Sequence, residues 1–379
     1  MLSRFQRLRT RLAIQVNGDE VVRRRGRGRL LMAIAVRDSA GKRYTESQRL
    51  DLTEPRYSPA QSIAEAAWIE TVFVLPGDYE ITFAVADLTT GEHNLARRKL
   101  HVAPLAGDPL PGAWRDLPAV EFVESYDPPD GWFLPEITTR LALPVETRRR
   151  VRVDIVMNAA ISETSRRAQR HTEQSKTLLI PALKTLSQMD VRNGMLRLAV
   201  MDVARRREIF TQDSGPLDWR KLKAALAQDD PRTIDASALK ERGQDAQFFV
   251  HHIAKRIAGD DGALHVLIVL SPPMAFPGET DRSPIEPPEG SDCRVFYIKY
   301  ETLTTEALVI GPPASPPSSR QYVGLPADVR QASRIATHVM QEDQLEQTLK
   351  PLRPKVFDVW TPLEFRKALG AIVREISAN

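Results

Sequence analysis

The sequence predicts an α/β doubly wound domain with a mainly parallel sheet, preceded by an all-β sandwich domain. Three observations lead to this prediction. The chain has 379 residues, which is enough for two domains. Residues 11–102 read as short strands separated by turn residues. After Leu143, strand patterns alternate with helix patterns, which is typical of βαβ units.

The first domain, residues 1–102, is predicted from a two-residue period. Tyr79, Ile81, Phe83 and Val85 alternate with Glu80, Thr82 and Ala84, so one side of the segment is apolar. Trp68 to Leu75 reads as the preceding strand, and Pro76 and Gly77 supply a turn between the two. Repeated segments of this kind indicate an immunoglobulin-like sandwich of two sheets.

Residues 103–144 are predicted to connect the two domains. Many of the chain's 28 prolines fall here, together with Gly107, Gly112 and Gly131. Aromatic residues such as Trp114 and Phe122 make the segment too apolar for a free linker. We expect an extended strap packed along one domain.

Residues 145–379 carry the predicted α/β domain. Val151 to Met157 reads as a strand followed by a helix, and Met195 to Asp202 forms a hairpin with Glu208 to Gln212. Asp245 to Ile257 reads as a helix. Leu264 to Leu270 is almost continuously apolar, as in a strand covered on both faces. The alternation predicts the mainly parallel sheet.

Composition narrows the classes of function. The net charge of +4 is small for this length, so we expect no global attraction to nucleic acid or to an anionic membrane. The basic run from Arg23 to Arg29 could contact phosphates, but no aromatic residue is interleaved to stack on bases, so a nucleic-acid partner is not the expectation that the sequence favours.

Cys293 alone cannot form an intramolecular disulfide or a thiolate cluster. No apolar run reaches the roughly 20 residues of a membrane span, and the first residues do not read as a signal peptide.

Four stretches of sequence carry a family resemblance. VRVDIVM at 151–157, HVLIVLS at 265–271 and VFDVWTPLEFRKAL at 356–369 resemble a von Willebrand factor type A domain. VLPGDYEITFAVAD at 74–87 is similar to the β-domains that accompany such modules in secreted bacterial proteins. The resemblance implies export to the periplasm or the cell exterior.

The same resemblance implies a metal-ion-dependent adhesion site, but the expected ligands are changed. The family carries Asp-x-Ser-x-Ser after the first strand, where this chain has Asn158, Ala160 and Ser162. Thr233 is a poor match for the family's threonine, and Pro272 follows the strand after which an acidic residue is expected. Because Mg²⁺ is usually anchored by one or two carboxylates, we predict that the site is degenerate and holds neither metal nor cofactor. Ser162 is then expected to cap the following helix.

Two long insertions suggest where a partner binds. Residues 271–291 and 301–326 both follow predicted strands, so we expect them on the same rim of the sheet. Their apolar residues are candidate partner contacts: Met274, Phe276, Ile285, Tyr322 and Val323.

No catalytic motif is recognised, and the sequence therefore predicts a non-enzymatic protein-binding module that uses this rim without a metal ion. Three alternatives remain open. The first is a magnesium-dependent adhesion protein in which other residues supply the ligands, and the second is an enzyme of a class that the motifs do not reveal. The third is nucleic-acid contact through Arg23 to Arg29, which would weaken steeply with salt.

Overall fold

The computed structural model describes residues 1–24, 28–52, 65–123, 137, 139–160, 178–213, 217–228, 244–258, 262–274, 276, 285, 292–300 and 343–378. These residues divide into two compact units, Met1–Ala142 and Leu143–Asn379.

The first unit contains two antiparallel sheets. Its strands are β1 (Arg9–Asn17), β2 (Arg29–Arg37), β3 (Arg43–Asp51), β4 (Glu65–Val74), β5 (Gly77–Asp87), β6 (His93–Val102) and β7 (Val120–Val123), with helix α1 (Gly18–Arg23) after β1. One sheet has the order β1-β4-β7 and the other β3-β2-β5-β6. Short turns join β2 to β3 and β5 to β6, which explains the antiparallel pairing.

The two sheets of this unit share a core. Ile34 and Val36 of β2 and Val72 of β4 are at most 1% exposed. The Tyr79 hydroxyl on β5 donates to the carbonyl oxygen of Leu75, 2.8 Å away, just after β4, and lies 3.2 Å from that of Ala119, just before β7. This phenol therefore fastens one sheet to the other.

The predicted strap, residues 103–144, contributes structure to the first unit. A 3₁₀ turn at Pro111–Trp114 buries Trp114, whose indole Nε1 donates to the carbonyl oxygen of Gln6 at 2.7 Å. The strand β7 then pairs antiparallel with β4. The division between the two units falls after Ala142.

The second unit is built on a six-stranded mixed sheet and a separate pair of strands. The strands of this unit are β8 (Leu143–Val145), β9 (Val151–Asn158), β10 (Met189–Val191), β11 (Gly194–Asp202), β12 (Arg207–Gln212), β13 (Leu264–Ser271), β14 (Cys293–Tyr300) and β15 (Lys355–Val359). The order is β12-β11-β9-β13-β14-β15, and β8 and β10 form a separate parallel pair. Strand β12 runs antiparallel to β11, whereas the other neighbours in the large sheet are parallel.

Helices pack on this sheet through apolar side chains. They are α2 (Trp219–Gln228), α3 (Asp245–Ile257), α4 (Gln344–Leu349) and α5 (Pro362–Ser377); residues 178–186 are also helical, and Lys350–Leu352 form a 3₁₀ turn. Phe249 and Ile253 of α3 are fully buried against Leu267 and Val269 of β13. Thr361 caps α5, accepting from the backbone nitrogen of Glu364 in a capping box.

The predicted fold class is wrong. The described residues are 44% strand and 27% helix, with several antiparallel sheets and one mixed sheet, and they do not show a doubly wound parallel arrangement of the von Willebrand A or Rossmann type. The physical reason lies in the connections. Parallel neighbours need a crossover of a dozen or more residues, whereas the five residues between β2 and β3 and between β5 and β6, like the four in the predicted hairpin of β11 and β12, permit only an antiparallel return.

Candidate functional site

Asn158, at the end of β9, lies in a closed hydrogen-bond network. Its Oδ1 accepts from the backbone nitrogens of Ala160 at 3.0 Å and Val203 at 3.3 Å. Its Nδ2 donates to Ser271 Oγ at 3.0 Å and lies 3.3 Å from Met274 Sδ. The side chain is fully buried, so the carboxamide connects the ends of β9, β11 and β13.

A second polar group continues this network toward β14. The hydroxyl of Tyr297 donates to Asp343 Oδ2 at 2.9 Å, while Asp343 Oδ1 accepts from the backbone nitrogen of Met274 at 3.1 Å. Burial raises the pKa of Asp343 and raises that of Tyr297 well above its usual value. Both groups hold the segment after β13 against the start of α4.

Of the five positions predicted to form a degenerate metal site, three lie among the described residues and two do not. Asn158 and Ala160 are buried, and Pro272 is half-buried with its carbonyl oxygen accepting from Ser271 Oγ at 2.7 Å. Ser162 and Thr233 lie outside the described residues. Within the described part of the chain, no group of three or more His, Cys, Asp or Glu side chains could hold a metal ion.

Three of the predicted partner contacts belong to the core. Met274, Phe276 and Ile285 are 4%, 4% and 1% exposed and pack in the cluster that contains Phe249 and Tyr297. Their prediction as surface contacts is wrong, because these apolar side chains turn inward and cover the sheet. Tyr322 and Val323 lie outside the described residues.

A buried carboxylate with several arginines around it lies in the middle of β9. Asp154 accepts from Arg197 through both carboxylate oxygens, at 2.8 and 3.0 Å, and Arg256 Nη1 lies 3.5 Å from it. Arg152 Nη2 donates to the carbonyl oxygens of Arg256, in the last turn of α3, and of Ala258, its C-cap residue, at 2.8 and 3.1 Å. This cluster fastens the C-terminal end of α3 to the sheet.

Cys293 lies close to this cluster but is not a reactive thiol. Burial raises its pKa to about 11, with the nearby Asp154 and Asp292 acting in the same direction. Because the thiolate is the nucleophilic form, this side chain stays protonated and unreactive at neutral pH.

The first unit contains an open groove of about 470 Å³. Apolar side chains from β1, β2, β5 and β6 form its floor: Ile14, Val16, Leu30, Phe83, Val85 and Ala96. Ile14 and Leu30 are buried, whereas Phe83 and Val85 remain half-buried. The groove therefore exposes apolar surface between β1 and β6.

Charged residues form the mouth of the groove. Arg24 Nε donates to Asp87 Oδ2 at 2.8 Å, its Nη2 donates to Glu92 Oε2 at 2.6 Å, and its Nη1 contacts Glu20. These hydrogen bonds raise the pKa of Arg24, with Asp87 the largest contributor, and the bond from Arg24 lowers the pKa of Asp87.

The turn between β5 and β6 places Glu92 at this mouth. Asp87 Oδ1 accepts from the backbone nitrogens of Thr89 at 2.8 Å and Thr90 at 3.3 Å, forming an Asx turn. Gly91 then takes a φ of +78°, in the left-handed region that a side chain disfavours.

Sequence reasoning missed this groove. A local signal existed in the spacing of Glu20 and Arg24, one helical turn apart, but nothing in the sequence showed that β6 would lack a facing strand. The arginine run considered for phosphate binding contributes Arg24 to the groove, where carboxylates surround it.

Among the described residues, no helix is long and apolar enough to cross a membrane. No protein-family model matches the chain, and no curated protein sequence matches it. A search of solved structures finds similarity to the pilus adhesin RrgA from Streptococcus pneumoniae, at 10% sequence identity and a TM-score of 0.19. The match covers 63% of this chain and 39% of the adhesin chain. At that TM-score the likeness supports no argument, and the von Willebrand factor type A resemblance stays a prediction.

Proposed function

We propose that this chain is a non-catalytic protein-binding module that works without a metal ion and contacts its partner through the groove of the first unit. The observation that carries the proposal is the groove itself. It combines half-buried apolar side chains at its floor with ionic groups at its mouth. Protein interfaces have the same arrangement, with an apolar centre and a polar rim.

The groove replaces the rim of the large sheet as the proposed contact. The described apolar residues expected on that rim, Met274, Phe276 and Ile285, are already used in the core. Phe83 and Val85, by contrast, line the groove and stay half-buried, although they lie on the same face of β5 as the buried Tyr79 and Ile81. Covering them would remove apolar surface from water, which favours association.

The hydrogen bonds of Asn158 support independence from metal. Both Oδ1 interactions are with backbone N–H groups and the Nδ2 interaction is with a hydroxyl, so the carboxamide is already engaged by the protein. Binding of a hard cation there would require these hydrogen bonds to break.

Selection of peptides from a random display library on the immobilised full chain tests the proposal. We expect enriched peptides whose affinity is the same in EDTA and in magnesium. Ala96→Trp, which fills the groove, should weaken binding at least about tenfold, whereas Leu95→Trp should leave it unchanged because Leu95 is 60% exposed on the other face of β6.

Two results would contradict the proposal. One is the absence of any enriched peptide. The other is binding that requires magnesium and ignores Ala96→Trp, which would restore the metal-dependent adhesion alternative.

A further inference from the structure

We infer that the groove accepts a single extended peptide strand, which pairs antiparallel with β1 and places a lysine or arginine near its N-terminal end beside Glu20, Asp87 and Glu92. This inference deepens the proposed function and rests on it. It concerns the mode of binding and the chemistry of the partner segment, and three features of the first unit support it.

The first feature is a free strand edge. β1 is the end strand of its sheet and pairs with β4. On its other edge, Arg9 exchanges two backbone hydrogen bonds with Met1, at 2.7 and 3.3 Å. Since backbone groups turn to alternate edges along a strand, those of Arg11, Ala13 and Gln15 face the same way as those of Arg9. No described residue pairs with these three, so they can bind an added strand.

The second feature is a difference in strand number between the two sheets. One sheet has three strands and the other has four. β7 contacts β3 across the unit, so counting along each sheet places β1 opposite β5 and leaves β6 without a strand opposite it. Ala96 of β6, paired with Phe83 of β5, is half-buried as a result. An added strand beside β1 would cover both side chains.

The third feature is the charge at one end of the groove. Glu20, Asp87 and Glu92 surround Arg24, and Glu20 also contacts Arg23. Three carboxylates thus face two guanidinium groups, and Glu92 is 69% exposed and accessible to a further cation. These acidic residues lie at the C-terminal end of β1, so an antiparallel strand would begin there. Complementary charge favours a basic residue at that position.

A basic side chain near the other end of the groove disfavours a second cation in the bound peptide. Arg98 lies on the same face of β6 as Ala96, opposite Ile81 of β5, and is exposed. A second cation in the bound strand would approach this arginine. The segment that fits has one basic residue followed by alternating apolar side chains, which would face Phe83, Val85 and Ala96.

A second copy of the chain does not fit this position. Its own β1 would bring with it the β5 and β6 that lie on the same side of the sandwich. Those strands would need the space that β6 of the first copy occupies, because β6 extends one strand beyond β1. The occupant is therefore a lone strand without a second sheet attached.

The test uses a fluorescent heptapeptide, lysine followed by alternating threonine and valine, so that the lysine and the valines share one face; it is titrated into the full chain and followed by anisotropy. Saturable binding is expected. Ala13→Pro removes an N–H on the free edge without removing one that bonds β4, and should weaken binding about tenfold or more. Ala13→Val keeps the N–H and should bind within about twofold of the wild type. Unchanged circular dichroism and thermal midpoint establish that the proline variant is folded.

Charge is tested with a matched peptide. Glu92→Gln should weaken the lysine peptide about threefold to tenfold and leave a peptide with alanine in place of lysine unaffected. N-methylation of the amides that face β1 should abolish binding of either peptide, because it removes the backbone donors.

The possible results distinguish a failure of the strand-pairing inference from a failure of the proposed function. If library peptides lose affinity in Ala96→Trp but not in the folded Ala13→Pro variant, strand pairing is wrong and the proposed function stands. If no peptide binds at all, the proposed function fails as well. Self-association in sedimentation experiments that Ala13→Pro removes would overturn the inference in favour of a second copy.

Discussion

The carboxamide of Asn158 both accepts and donates hydrogen bonds at the end of β9, which explains the presence of an amide side chain there. Two backbone N–H groups share its oxygen, and Ser271 Oγ accepts from its nitrogen. An aspartate would lack the donor, and an apolar side chain would lack both functions. Asn158 is therefore part of a buried polar network at the ends of three strands.

We expect Asn158→Ala to lower the free energy of unfolding by about 2–4 kcal/mol, because it leaves the backbone nitrogens of Ala160 and Val203 buried without an acceptor. Ser271→Ala is the control and should cost about 1 kcal/mol. Urea denaturation with and without magnesium measures both values. A loss below about 1 kcal/mol for Asn158→Ala, or stabilisation of the wild type by magnesium, would contradict this account.

Ion pairs between buried or partly buried side chains join secondary-structure elements of the second unit, in addition to apolar contacts. Asp154 of β9 is 3% exposed and binds Arg197 of β11 through two hydrogen bonds. Arg256 connects the same carboxylate to α3, and its Nη2 also contacts Glu208 of β12 at 3.1 Å. Removing the carboxylate would take from Arg197 the acceptor of its two hydrogen bonds and from Arg256 one of its two carboxylate neighbours.

Asp154→Ala is expected to lower the free energy of unfolding by about 3–5 kcal/mol, because it leaves the guanidinium group of Arg197 without the buried carboxylate that it binds. The double variant Asp154→Leu with Arg197→Met removes both partners of the closest pair and should cost less than the single variant. Chemical denaturation of the three proteins compares these values. A double variant that is less stable than Asp154→Ala would argue against the counter-ion role.

At the scale of the whole molecule, each compact unit has its own core. Ile34 is fully buried between the sheets of the first unit, and Phe249 is fully buried between α3 and the large sheet of the second. Each core depends on contacts within its own unit, so a cavity made in one of them should destabilise that unit first.

We predict two transitions in scanning calorimetry of the full chain. Ile34→Ala should lower the midpoint of one by roughly 10 °C, and Phe249→Ala should lower the other by a similar amount. Val36→Ile and Phe249→Leu serve as milder substitutions in the same cores. A single transition that both alanine variants shift equally would show that the units unfold together, contrary to this prediction.

Much of the local structure could be predicted from the sequence, because strand periodicity and turn chemistry act over a few residues. The alternation from Tyr79 to Val85 corresponds to β5, the apolar run at 264–270 corresponds to β13, and the predicted hairpin corresponds to β11 and β12. The helix predicted from Asp245 to Ile257 has those bounds in the structure. The sequence by itself thus determined where these strands, turns and helices lie.

Only the tertiary structure decided how the elements combine, because pairing and coverage depend on residues far apart in the chain. The alternation in β5 could not reveal that Tyr79 and Ile81 would be covered while Phe83 and Val85 would line an open groove. The same apolar character that suggested surface contacts at Met274, Phe276 and Ile285 buries them. A side chain's burial depends on which surfaces long-range packing leaves uncovered, and hydrophobicity alone does not specify this.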